Sequence, residues 1–243
     1  MKVHLKILIP IIFIGVSLFY YFLPLKIVDF SNIFLTIATF LFSTLTGFFI
    51  ARQGKRYSAI RDQITNFDGE MSSIFRHFGH LGKIAQEKVK IIIKNHYNII
   101  LKKKAWDYHF THKSNTITSI HKLCEITTKD KPFPTLKNFS VQRILVGLQR
   151  LQSIRKNMVA LHNERIPLFQ FILIYFLAII LLVTVSIIPS ETNFLASILK
   201  GAFSSSIIFV VILLHEFDRL KFFEGTIGET SAKDILNIFS GKR

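Results

Sequence analysis

The sequence predicts an all-α membrane protein with four transmembrane helices and long cytosolic helical extensions. Three observations point that way. Half of the 243 residues are apolar, only 19% are charged, and phenylalanine alone supplies 25. That is more apolar side chain than one soluble core of this length needs, and it suits a lipid-facing surface. Long uncharged stretches recur near both ends of the chain. Between them, the interval Arg52–Arg165 holds 22 Lys+Arg against 8 Asp+Glu.

The stretches are long enough to be spans. Ile7 to Leu25 is uncharged for 19 residues, Phe30 to Ala51 for 22 and Ile166 to Ser190 for 25. About 20 apolar residues cross the hydrocarbon core as a helix. The fourth stretch, Thr192 to Leu214, is interrupted only by Lys200. It qualifies if that side chain snorkels to the outer interface or faces a wet interior. Short turns around Leu25–Asn32 and Pro189–Asn193 pair the spans as two antiparallel hairpins. Met1–Lys6 has the charge of a signal-peptide n-region. The apolar stretch after it is long, however, and lacks a small-residue cleavage site, so an uncleaved span is expected. Tyr20 and Tyr21 read as anchors at the outer interface.

Orientation follows from charge. Basic residues collect on the cytosolic side, which places residues 52–165 there. Lys2, Lys6, Arg219 and Lys221 put both termini on the same side. The expected localisation is the plasma (inner) membrane, multi-pass. The expected division is residues 1–51 as helices one and two, 52–165 as a basic cytosolic helical domain, 166–220 as helices three and four, and 221–243 as a cytosolic C-terminal segment.

The basic domain reads as helices separated by breakers at Gly79 and Gly82, at Thr111–Asn115, and at Lys129–Thr135 with its two prolines. Its last helix places Val141, Ile144, Leu145, Leu148, Leu151, Ile154, Met158 and Leu161 on one stripe. An earlier helix around Ala85–Trp106 carries Ala85, Val89, Ile92, Tyr97 and Ile100. In the C-terminal segment, Ile235, Leu236, Ile238 and Phe239 form an apolar edge that should dock on the domain, with Ser231 as a helix cap.

Candidate chemistry is sparse. His77/His80 and His109/His112 have helix-neighbour spacing, but no carboxylate or thiol adjoins either pair, so solvated or interfacial histidines are expected and no metal. Lys102–Lys104 with Trp106 and Tyr108 reads as a solvated helix face, with anionic lipid as the next candidate and nucleic acid not expected. Cys124 is the only cysteine, which excludes an internal disulfide. Glycine-rich phosphate loops, HExxH and GxSxG are all missing, so neither an enzyme nor a cofactor is expected.

Two stretches rise above this background. At the inner end of span two, Arg52 is followed five residues later by Tyr57, with Arg61 one turn on. Span three opens with Ile166-Pro167 after a cytosolic helix, and span four ends in an acidic, apolar segment running from Asp218 through Gly225 to Gly228. In the order and placement of these landmarks the chain resembles the bestrophin channel family, especially its small bacterial members. The resemblance implies a homo-oligomer, expected to be a pentamer, that passes inorganic ions, with chloride or another anion favoured by the basic domain. It also implies that span two lines the pore, with a neck at Thr36, Phe40 and Thr44. Only Phe40 has the bulky apolar character of the family neck, and the two threonines would make it wetter or serve helix–helix contacts instead. The calcium-binding acidic run of animal bestrophins is reduced here to Glu224, Glu229 and Asp234, too few for the six to eight oxygens calcium takes. The alternative is a non-conducting scaffold whose basic domain binds anionic lipid or a partner protein. For topology, a reporter fused after Arg243 and another inserted near Lys102 should both report a cytosolic location; periplasmic activity from either would overturn the orientation.

Overall fold

The computed structural model describes residues 2–22, 32–129, 135–187, 194–221 and 227–240. Among these residues the regular structure is helical throughout, in the order α1 (Lys2–Phe22), α2 (Asn32–Leu81), α3 (Lys83–Lys103), α4 (Tyr108–Thr111), α5 (Thr116–Thr128), α6 (Thr135–Asn163), α7 (Leu168–Ile187), α8 (Phe194–Asp218) and α9 (Ile227–Phe239). The chain divides into two compact units. The first comprises residues 1–54 and 165–219, the second residues 55–164 and 220–243.

The first unit holds α1, the beginning of α2, α7 and α8. Among the described residues, three helical segments are long and apolar enough to cross a membrane, within Ile33–Leu81, Thr135–Ile187 and Phe194–Asp218. The apolar part of α1 described in full is the shorter Ile11–Phe22. Ala38, Phe42, Phe49, Ile174, Leu177, Leu181, Ile207 and Leu214 form its core. The outer side of α7 is an unbroken set of large apolar side chains, among them Phe169, Ile172, Phe176, Ile179 and Val183. Its inner side carries Thr184 and Ser186.

Tyr20 corrects the expectation of an interfacial anchor. Its ring is 8% exposed, whereas that of Tyr21 is 55%. The Tyr20 hydroxyl hydrogen-bonds with the hydroxyls of Ser186 on α7, at 3.1 Å, and Ser204 on α8, at 3.0 Å. Buried hydroxyls need such partners, and here one phenol ties three helices. α1 and α8 also approach closely at Gly201, where an added Cβ would lie 2.1 Å from the Ser17 hydroxyl and 3.0 Å from its Cα. The Lys200 ammonium stands 5.9 Å from the Tyr20 ring centroid, within cation–π range.

The second unit packs the rest of α2 with α3, α5, α6 and α9 around Ile60, Met71, Ile74, Phe78, Val89, Ile93, Ile120, Ile144, Leu151 and Met158. The α2 contribution recurs every three or four residues, which holds one helical face inside. The break expected at Thr111–Asn115 occurs, the one at Lys129–Thr135 falls on residues 130–134, outside the described residues, and there are two adjustments elsewhere. Gly79 lies inside α2, and Gly82 makes the corner: its φ of 137° is open to glycine and strained for other residues. α3 ends earlier than its sequence stripe suggests, at Lys103, with Lys104 left-handed at φ 51°. On α6 the predicted stripe is buried at Ile144, Leu148, Leu151, Ile154 and Met158, while Leu145 is exposed.

The C-terminal helix packs into this unit. Ala232, Ile235 and Phe239 are buried in the core, and the Phe239 ring lies 4.5 Å from that of Phe75. Ser231 is not the helix cap, because α9 begins four residues earlier; its hydroxyl donates instead to the Asp68 carboxylate. Phe239 is 3% exposed and its neighbour Ile238 40%. Truncating a buried phenylalanine costs about 3–5 kcal/mol, and an exposed substitution within about 0.5 kcal/mol. Phe239→Ala should therefore lower the urea midpoint followed by fluorescence of Trp106, the single tryptophan, which is buried in the same core. Ile238→Ala should leave it nearly unchanged.

Candidate functional site

The side of α2 turned away from the core of the first unit differs from the outer side of α7. Facing inward are Ala38, Phe42, Thr46, Phe49 and Gln53, all buried. On the opposite side the helical period places Ile33, Thr36, Phe40, Ser43, Thr44, Gly47 and Ala51, all exposed. Phe40 is 66% exposed, and a Cβ added to Gly47 would meet nothing within 4 Å. The Ser43 hydroxyl donates to the Phe40 carbonyl, and Thr46 on the inner side donates to the Phe42 carbonyl at 2.7 Å. Small and hydroxylated residues thus dominate a face where α7 carries Phe, Ile and Val. Thr36, Phe40 and Thr44 share it, and none packs into the core of its own unit.

Below this face, polar side chains at the end of the first unit form a node. The buried Asp218 carboxylate accepts the backbone N–H of Ile166 at 2.7 Å and the Gln53 side-chain amide at 3.4 Å. Pro167, next in sequence, biases Ile166 away from helical geometry and opens α7, its carbonyl accepting from Gln170 at 2.9 Å. The chain break at Ile166 leaves a buried N–H that Asp218 satisfies. Two landmarks that were separate in the sequence, Ile166-Pro167 and Asp218, thus meet in space. The sequence reading missed Gln53, although it lies beside Arg52 on the same helix.

Arg52 is half-buried, Tyr57 is half-buried against the core of the second unit, and Arg61 is exposed. Gly228 lies in the first turn of α9, and Gly225 is outside the described residues. The residue missed between Arg52 and Tyr57 is Arg56. Its guanidinium is 4% exposed and donates to the carbonyls of Leu161 at 2.7 Å and His162 at 2.8 Å, so a cation closes the C-terminal end of α6. His162 in turn lies 3.2 Å from Asp107, whose hydrogen bond raises the imidazole above its ordinary value.

Deeper in the second unit, Asp68 accepts from the Tyr97 hydroxyl at 2.5 Å and from Ser231. Burial raises its carboxyl above the usual range, against the pull of those two donors. His109 is not solvated as expected but buried, its ring stacked on His96 with centroids 3.8 Å apart, and its Nε2 hydrogen-bonds with the His96 carbonyl. Burial, more than neighbouring charge, holds both imidazoles below their ordinary values. Nothing in the sequence signals this pair, because His96 and His109 come from different elements. Among the described residues no three His, Cys, Asp or Glu side chains are grouped to hold a metal.

The Asp218 node can be tested by substitution. Asp218→Ala strands the buried N–H of Ile166, which costs about 1–3 kcal/mol, whereas Asp218→Asn keeps an oxygen acceptor. In detergent the alanine variant should melt clearly below the asparagine variant; equal melting temperatures would show that the carboxyl oxygen does not carry this contact.

No curated protein and no solved structure matches the chain. The family model described as Bestrophin-like domain does, over residues 24–227. That stretch takes in the α2 face, the Asp218 node and most of each compact unit, leaving out α1 and all but the first residue of α9; on this match the chain belongs to the bestrophin-like family of membrane proteins.

Proposed function

We propose that the chain is one subunit of a homo-oligomeric ion channel, a pentamer by family likeness, in which the α2 face with Thr36, Phe40 and Thr44 lines the conduction path. Family membership supports ion transport in general, and the bestrophin family consists of ion channels. The observation that carries the finer reading is the composition of that face. A helix side meant for lipid would resemble the outer side of α7; hydroxyls and glycine suit water or a close copy of the same helix. Four spans, both termini in the cytosol and an inner-membrane location complete the reading. Phe40 is its one bulky apolar member at the proposed neck and acts there as the constriction.

Anions such as chloride are the favoured permeant species. Residues 52–165 carry 22 basic against 8 acidic side chains, and an assembly concentrates that field at one mouth of the pore. The neck sets the final selectivity. Landmark residues Arg52, Tyr57, Arg61, Pro167, Gly225 and Gly228 serve structure in this reading, and no enzyme activity is assigned.

Flux measurements in liposomes test the proposal. Phe40→Ala should raise anion leak several-fold with the oligomer unchanged, because a narrower apolar neck holds a pore dry. Cysteines introduced singly at positions 36, 40 and 44 should react with water-soluble thiol reagents, over the low background of buried Cys124. Unreactive cysteines together with unchanged flux would remove the pore reading and favour a non-conducting scaffold.

A further inference from the structure

In the second unit, a groove between α5 and α6 is lined by Ser114, Ile117, Thr118, His121, Leu145, Leu148, Gln149, Gln152 and Arg155. Its chemistry is one-sided. The floor is aliphatic, from Ile117, Leu145 and Leu148, and the walls offer a guanidinium, an imidazole, two amides and two hydroxyls, with no carboxylate. The acid nearest in sequence, Glu125, is paired with His121 at 3.5 Å. Half-buried Arg155 has no ion-pair or hydrogen-bond partner among the described residues, and the side chains of Gln149, Gln152 and Thr118 have none either. Behind Arg155 lies the His96–His109 stack, whose imidazoles are held below their ordinary values by burial and, less strongly, by the Arg155 charge.

A half-buried guanidinium is ordinarily matched by an anion, because removing it partly from water without a partner is unfavourable. Here unused donors surround it and an apolar floor adjoins it, the combination that small-molecule sites use to fix a charged head and bury a body. We propose that this groove binds a small organic anion, with a carboxylate or phosphate head on Arg155 and an apolar body over Ile117, Leu145 and Leu148. An inorganic ion would use the head contacts alone and leave the floor wet. The site belongs to the second unit and does not depend on the pore reading.

Titration calorimetry on the purified full-length protein in detergent tests this, with phenyl phosphate and benzoate as the two head groups and inorganic phosphate as the body-less control. At least one organic probe should bind saturably, at one per chain, and inorganic phosphate at least tenfold more weakly. Whichever organic probe binds more tightly identifies the head. Arg155→Gln should weaken binding tenfold or more. Gln149→Glu, at an exposed position that leaves the core untouched, should do the same by supplying Arg155 with an internal carboxylate. The proposal is overturned if neither organic probe saturates at millimolar concentration, if inorganic phosphate binds equally well, or if both variants bind like the parent protein.

Discussion

The unbroken hydrogen-bond ladder of α2 is the constraint on which most of the architecture rests. From Asn32 to Leu81 the helix never pauses. In an apolar surrounding the backbone has no water to turn to, so a break would strand N–H and C=O groups at a cost of several kcal/mol each. Gly47, Gly54 and Gly69 each weaken the helix by about 1 kcal/mol relative to alanine. They are tolerated because each unit buries one side of its own part of the helix, with Ala38, Phe42 and Phe49 in the first and Ile60, Phe67, Met71, Ile74 and Phe78 in the second. The glycines can then thin the outward side without endangering the element. The helix ends where Gly82 supplies a backbone angle that other residues resist.

The same demand explains the polar groups of the first unit. Each break or buried hydroxyl is answered locally. The N–H released at Ile166 by the following proline goes to Asp218, and Tyr20 shares its hydroxyl with Ser186 and Ser204. Such contacts are worth little in water and more where the alternative is an unsatisfied group. They also choose among packings: a tyrosine that must reach two serines fixes the rotation of α1 more tightly than aliphatic contacts could. The acid retained at the end of α8 is thereby explained as the acceptor for a kinked chain, independent of any ion.

In the second unit the recurring device is a charged group closing a helix or a seam. Arg56 terminates α6, Asp107 holds His162, and Asp68 gathers hydroxyls from α3 and α9. The Asp68 contact adds direction to the apolar docking of α9, since only one register of that helix brings Ser231 to the carboxylate while Ile235 and Phe239 stay inside. Arg155 stands apart because it faces open space with no acid opposite.

Much of this was legible in the chain. Runs of about 20 apolar residues, the crowding of basic residues between Arg52 and Arg165, and the breakers at Gly82, Thr111–Asn115 and Lys129–Thr135 are local signals, set by backbone propensity and by the price of placing charge in lipid. They sufficed for the helical class, the membrane assignment and, with the Arg52, Tyr57 and Ile166-Pro167 landmarks, the family. Partners distant along the chain were not legible. Asp218 with Ile166, Tyr20 with Ser204, Asp68 with Ser231 and His96 with His109 join residues whose spacing follows no helical period, so only the packing of whole helices decides which of them meet. Periodicity likewise shows that α2 has two sides, but it took the packed core to decide which side is buried. That is a property of how neighbouring helices fill space, and no local stretch of sequence encodes it.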